Sequence, residues 1–276
     1  SVVNVVANVL SFGIAIAISF FISPYIVRTL GAEANGFVTL ANNFVAYATL
    51  LKTALNGVGT RYIIIEYNKG NVEKANKYFS SLFYGDLFLA IVISAASAII
   101  VWQLENLINI SPELVTDVKI LFGFVLFNFV FSTATNIFNV ASYVKNKIYL
   151  QSMRDIQAYL IRAILLVVLF SIFSPRIAFL GIATFVPSIV VVIYNIYYKR
   201  KLTPDLRINK KNFSFATIKE LVSQGIWNSI ASLGTMLLSS LDLLIANLLI
   251  DENEMGILSV AKSMPNVVSS FGTTVA

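Results

Sequence analysis

The sequence predicts an all-α polytopic membrane protein: one six-helix lobe followed by the first one to two helices of a second, parallel-repeated lobe. Three observations predict it. The 276 residues are 57% hydrophobic and only 12% charged, with a mean hydropathy of +0.79. A water-soluble domain carries roughly 25% charged residues, so lipid is the solvent left for most of this surface. The apolar residues also fall in runs of about 20 or more, the length a helix needs to cross a bilayer. Finally, the loops between the runs alternate between cation-rich and cation-poor.

The first run, 5–27, lacks a basic leader and a small-residue cleavage site, and is therefore a span rather than a signal peptide. Further spans follow at 37–60, 79–102, 118–143, 153–173, 177–198 and 222–249. An eighth begins near 257 and continues to Ala276. The chain opens without Met and stops inside that span, so the sequence reads as part of a longer one. The domains are then a transmembrane lobe over 1–198, a cytoplasmic basic linker over 199–220, and the start of a second lobe over 221–276. Ser214 to Ser223 reads as an interfacial helix leading into span seven.

The loop after span two holds Arg61, Lys69, Lys74 and Lys77, and the loop after span four Lys145, Lys147 and Arg154. The linker holds Lys199, Arg200, Lys201, Arg207, Lys210, Lys211 and Lys219. The remaining loops hold only Arg28, Lys119 and Arg176. About 14 basic residues against about three make the first side cytoplasmic, with the N-terminus on it. The expected location is the cytoplasmic membrane, multi-pass. The basic run 199–211 reads as an anchor to anionic lipid rather than a nucleic-acid site. The chain has no cysteine and no histidine. That removes Ser-His and Cys-His catalysis, zinc-thiolate sites and the usual proton shuttle from this segment.

Several spans carry polar residues at steps of three and four, which keeps them on one helical face. Span one has Asn8 and Ser19, and span two Asn42, Thr49, Thr53 and Asn56. Span four has Asn128, Ser132, Thr135, Asn139 and Ser142, and span seven Asn228, Ser232, Thr235, Ser239 and Asp242. The eighth has Lys262, Asn266, Ser269 and Thr273. Such rows serve helix packing or line a shared water-filled cavity. Lys52, Arg162, Asp242 and Lys262 lie within apolar helices, where a charge costs at least about 2.5–3.5 kcal/mol. Lys52 and Lys262 have snorkelling to the surface as their alternative role. Arg162 has pairing with Asp155 as its alternative. Asp86 reads as an interfacial residue. Gly57-Val58-Gly59 reads as a place where span two ends or kinks, and Pro24, Pro187 and Pro265 as kinks or hinges.

A shift of 220 residues superposes Asn8 on Asn228, Ser19 on Ser239, Gly36 on Gly256 and Thr53 on Thr273. Spans one and two thus match seven and eight. Six spans separate the copies, so both run the same way, the arrangement of a parallel repeat about an axis along the membrane normal.

The run Phe21-Ile22-Ser23-Pro24-Tyr25-Ile26-Val27-Arg28-Thr29-Leu30-Gly31-Ala32-Glu33, followed by Gly36, resembles the first external turn of bacterial polysaccharide-unit (O-antigen type) flippases. Asp242 through Glu254-Met255-Gly256 resembles the equivalent turn of their second lobe. These flippases belong to the multidrug/oligosaccharidyl-lipid/polysaccharide exporter superfamily. The resemblance implies two lobes around a central cavity, and the flipping of polyprenyl-diphosphate-linked oligosaccharide across the cytoplasmic membrane by alternating access. It implies no resident cofactor beyond a coupling ion, Na+ or H+. The implied partners are lipid-linked oligosaccharide, membrane lipids and other polysaccharide-assembly proteins. Arg28, Lys52 and Lys262 stand in the spans where related flippases carry cavity cations. On this reading Lys52, Arg162 and Lys262 attract the diphosphate, and Asn42, Asn128, Asn139 and Asn228 bind sugar hydroxyls or water. Asp242 balances charge or couples an ion. The rivals are a drug/cation antiporter of the same superfamily, which would want an acidic cavity, and a membrane-embedded glycan-processing enzyme, which would want a large acidic or metal-bearing loop.

Overall fold

The computed structural model describes residues 2–262, apart from the side chains of Thr235, Leu238 and Ser239. Among the described residues the chain is helical and without strands. The helices are α1 (Val2–Leu30), α2 (Ala32–Asn68), α3 (Val72–Trp102), α4 (Leu104–Leu107), α5 (Val115–Thr135), α6 (Val140–Val144), α7 (Tyr149–Ile172), α8 (Ala178–Leu202) and α9 (Phe215–Leu249). A further helix, α10, covers 252–262 of the described residues. The eighth span beyond Lys262, with Pro265, Asn266, Ser269 and Thr273, lies outside the described residues.

Long helices stand at all seven expected spans. Among the described residues five of them, α1, α3, the α5–α6 segment Val115–Val144, α7 and α8, are long and apolar enough to cross a membrane. The helix α2 is the longest at 37 residues, but Asn42, Asn43, Lys52 and Asn56 dilute its apolar content. Pro24 and Pro187 lie inside continuous helices, which neighbouring groups permit in a membrane protein. Gly57 and Gly59 also lie inside a continuous helix, so they end nothing. Gly59 instead lets α2 approach α3, since a Cβ there would lie 2.5 Å from Leu82 Cδ1. The stretch 214–223 is no separate interfacial helix either. It is the first part of α9, capped by the Ser214 side chain accepting from the Thr217 N–H.

Two ends of the bundle differ in chemistry. At one end Asn4 of α1 donates to the Asn146 carbonyl at 3.0 Å, and the Lys145 ammonium lies 4.9 Å from the Tyr67 ring centre. Asn76 receives the Arg207 N–H at 2.7 Å and donates to the Asp205 carbonyl. The cation-rich turns and the linker therefore gather at the end that holds the N-terminus. At the other end Arg176 is paired with Asp117 at 2.5 Å and Lys119 with Glu105 at 3.3 Å.

The core between these ends is apolar, with Phe37, Leu40, Leu121 and Phe122 among its fully buried side chains. The outside is apolar as well. Phe21, Phe88, Ile99, Ile164 and Ile193 are all exposed, as lipid-facing side chains are. Association in lipid relies on close packing rather than on the hydrophobic effect, and small residues supply it. Gly181 of α8 seats on Leu121 and Phe124 of α5, and a Cβ on Gly225 of α9 would collide with the Ala54 carbonyl of α2. The helices α2 and α9 thus lie together, joined also by Asn43 donating to the Ser240 carbonyl and Ser229 to the Leu50 carbonyl.

Candidate functional site

Arg162 projects from the middle of α7 into a cavity of about 190 Å³ between α1, α2 and α7. The polar lining is Ser19, Ser23, Asn35, Tyr159 and Arg162 itself. Its Nε is buried and makes no hydrogen bond among the described residues. No ion pair joins it to Asp155. Residues seven apart lie about 10 Å from each other along a helix axis, so the alternative pairing is not formed. The result is a guanidinium with donor capacity left over, beside hydroxyls and an amide. Such a fork suits a phosphate or carboxylate oxygen.

The second polar group sits on α9 and α10. Lys262 donates to both carboxylate oxygens of Asp242, at 2.6 and 2.5 Å. The sequence assigned these residues separate roles, but the structure makes them one unit. Both remain accessible, with side-chain exposures of 21% and 44%. Tyr47 of α2 is close enough to interact electrostatically with Asp242.

The third group is internal to the lobe. Asp86 of α3 is fully buried and accepts from Asn56 at 2.6 Å, while Asn136 donates to the Asn56 oxygen at 3.1 Å. It is not the interfacial residue the sequence suggested. Lys52 lies in its electrostatic reach and places its ammonium 5.9 Å from the Phe129 ring centre. A break of the α-helix into a 3-10 turn at Asn136–Asn139 brings Asn136 into this cluster.

A fourth feature was missed. Arg154, counted above as a loop cation, is 3% exposed. It donates to Asn139 at 3.0 Å and to Ser142 at 3.3 Å, and lies 5.7 Å from the Tyr198 ring centre. These partners, from the α5–α6 segment and α8, hold Arg154 inside the bundle although it lies near the start of α7.

The remaining predicted residues do not converge. Arg28 is exposed in the last turn of α1. Asn42 is exposed and donates to the Val38 carbonyl of its own helix. Asn228 is exposed beside Gly57. Asn128 has a buried side-chain oxygen without a hydrogen bond among the described residues. Asn139 is taken up by Arg154. Of the three cations expected to share a cargo, Arg162 lines the α1–α2–α7 cavity, Lys52 leans on α5 and Lys262 pairs with α9.

The end opposite the cationic turns is sealed where α9 and α10 meet the segment between α4 and α5. Asn247 is fully buried. Its oxygen accepts the Asn109 N–H at 2.8 Å, its amide donates to the Asn109 carbonyl at 3.0 Å, and its carbonyl accepts from the Asn109 amide at 2.6 Å. Glu252 accepts from the Ser111 N–H at 2.8 Å and from the Ser111 hydroxyl. Asn35, at the rim of the Arg162 cavity, donates to Ser259 at 2.9 Å.

The sequence matches the polysaccharide biosynthesis protein family over residues 1–276. The chain belongs to that family. Among its relatives is the uncharacterized membrane protein EpsK of Bacillus subtilis (strain 168), 31% identical over 276 residues, which cover 99% of this chain and 54% of the relative. The fold is similar to that of a multidrug resistance MATE family transporter of the MOP superfamily solved in an inward-facing conformation. The TM-score is 0.66 at 19% identity, over 92% of this chain and 56% of that one. The chain thus spans about half the length of the proteins it matches. With five helices among the described residues able to cross a membrane and this family membership, it is a multi-pass membrane protein.

Proposed function

We propose that this chain is the first lobe and lobe junction of a transporter that flips polyprenyl-diphosphate-linked oligosaccharide across the cytoplasmic membrane, for polysaccharide assembly and without making or breaking a bond. The observation that carries the reading is Arg162: a guanidinium with unused donors in a polar cavity, inside a protein of a polysaccharide biosynthesis family. A diphosphate brings the anionic oxygens such a group binds, and Ser19, Ser23 and Asn35 add neutral donors around it. Arg28, Lys52 and Lys262 are assigned to attracting the same headgroup on its way in or out, and Asn42, Asn128, Asn139 and Asn228 to sugar or water. Asp242, bonded to Lys262, is assigned to charge balance or to coupling with Na+ or H+.

Movement of the cargo calls for alternating access. The seal of Asn109 and Ser111 against Asn247 and Glu252 supports a state closed at the end away from the cationic turns. The excess of basic loops at the other end favours that end as cytoplasmic, so on this reading the seal lies on the outer side. The test is reconstitution of the full-length protein in liposomes carrying fluorescent lipid-linked oligosaccharide in the inner leaflet. Protein-dependent appearance of the label outside supports the reading. Protein-dependent movement of a cationic drug, with no movement of the lipid, would favour the antiporter instead.

A further inference from the structure

A second lipid-shaped surface runs along α3 and α9, away from the Arg162 cavity. It has two parts. At the cationic end, a cleft of about 570 Å³ is lined by Lys74, Lys77 and Lys211, with Glu73 its only carboxylate and Asn212 and Ser214 beside them. Deeper in the bundle, an apolar groove of about 650 Å³ is lined by side chains such as Leu51, Leu55, Phe88, Leu89, Ile226 and Ile230. Lys74 is bound to Glu66 at 3.2 Å, which leaves Lys77 and Lys211 as the cleft's principal donors to an anion.

The two parts follow one another along α3. Lys74, Lys77, Ser81, Gly85 and Phe88 follow at steps of three and four, so they share one face of α3. Between cleft and groove, the Ser214 N–H donates to Ser81 at 3.1 Å. Phe213 meets Tyr84 edge-on, with ring centres 5.8 Å apart. Ile218 packs where a Cβ on Gly85 would stand, 3.0 Å away. Phe213 and Phe215 stay exposed at this level, as aromatic residues do at a membrane interface.

We propose that this track binds one anionic diacyl phospholipid of the adjacent leaflet, its headgroup in the cleft and an acyl chain in the groove. Charge complementarity sets the headgroup. Length sets the tail: Lys77 to Phe88 is about 16 Å along the helix at 1.5 Å per residue, close to the ~15 Å of one leaflet's hydrocarbon. A polyprenyl tail is far longer than this groove. The site is distinct from the cargo cavity and its occupancy does not depend on the flippase reading.

The test is native mass spectrometry of the full-length protein in detergent with equimolar phosphatidylglycerol and phosphatidylcholine. One phosphatidylglycerol is expected to be retained in preference to phosphatidylcholine. Lys77→Ala with Lys211→Ala should weaken its binding about 30-fold, the electrostatic worth of two lysines near an anionic surface. Lys77→Arg with Lys211→Arg should restore it. Phosphatidylglycerol with six-carbon chains, too short to reach Phe88, should be retained no better than phosphatidylcholine. Equal retention of the two long-chain lipids, no retained lipid, unchanged retention in the alanine variant, or displacement by added polyprenyl phosphate would each overturn the proposal. A thermal melt of each variant separates lost binding from lost folding.

Discussion

Gly36 and Gly256 lie back to back: a Cβ on Gly36 would come within 2.9 Å of the Gly256 Cα, and one on Gly256 within 2.6 Å of the Glu33 nitrogen. These are the glycines that the 220-residue shift superposes. Two equivalent residues of a two-fold arrangement can touch only close to its axis, so the contact is where an axis between two lobes would pass. Because the neighbours are backbone, neither side can yield. Gly256→Leu should cost about 1–3 kcal/mol by overpacking and loosen the seam. These 276 residues hold no cysteine, so Asn35→Cys, with any cysteine elsewhere in the protein replaced by Ser, can report on it. Its labelling by a membrane-impermeant maleimide added outside cells should be faster with Gly256→Leu than without.

The seam around Asn247 should also be a gate that must part. Asn109→Cys with Asn247→Cys, joined by oxidation, should stop transport, and reduction should restore it. Asn247→Leu leaves the Asn109 N–H without its acceptor. Asn109 is itself exposed, so water replaces part of the lost bond and the cost is about 0.5–1.5 kcal/mol; the thermal transition should fall slightly and the outer end should open. Transport at the normal rate in the cross-linked protein would show that the seam is static.

The Asp242–Lys262 pair should matter more for transport than for stability. Half-exposed ion pairs contribute about 0–1 kcal/mol, so Asp242→Asn and Lys262→Gln should melt close to the parent. Each should slow transport and change its dependence on Na+ or on pH. The exchange Asp242→Lys with Lys262→Asp keeps the pair and should recover part of the rate. Equal rates in all four proteins would remove the pair from the mechanism.

Asp86 should behave in the opposite way. Asp86→Ala strands Asn56 in the lobe interior and should destabilise the protein by about 1–3 kcal/mol. Asp86→Asn, which still offers an acceptor to Asn56, should be milder. A thermal melt in detergent compares them.

The helices were legible because burial and lipid exposure both select apolar side chains, and run length alone then marks a span. Asp86 could have been read correctly: it falls in step with Phe79, Leu82, Ala90 and Ile93, all of them buried on one face of α3. Arg154 falls just inside the span drawn at 153 yet counts there as a loop cation, because the partners that bury it, Asn139, Ser142 and Tyr198, come from distant segments and leave no local signal. The Asn109–Asn247 seal carries no local signal, because it joins a loop to a helix 138 residues away through backbone groups. Spacing told that Asp242 and Lys262 were costly in the membrane, but not that α10 turns back to bring them together. It likewise grouped Lys52 with Arg162 by charge, although one leans on α5 and the other opens into the α1–α2–α7 cavity.

The most direct measurement is the rate at which lipid-linked oligosaccharide crosses liposomes containing the full-length protein with Arg162→Ala or Arg162→Lys. The account predicts a loss of about 10- to 100-fold for alanine, the worth of a hydrogen bond to a charged group, and a smaller loss for lysine, which keeps the charge but not the fork. An alanine variant that folds and flips the cargo at the parent rate would contradict it.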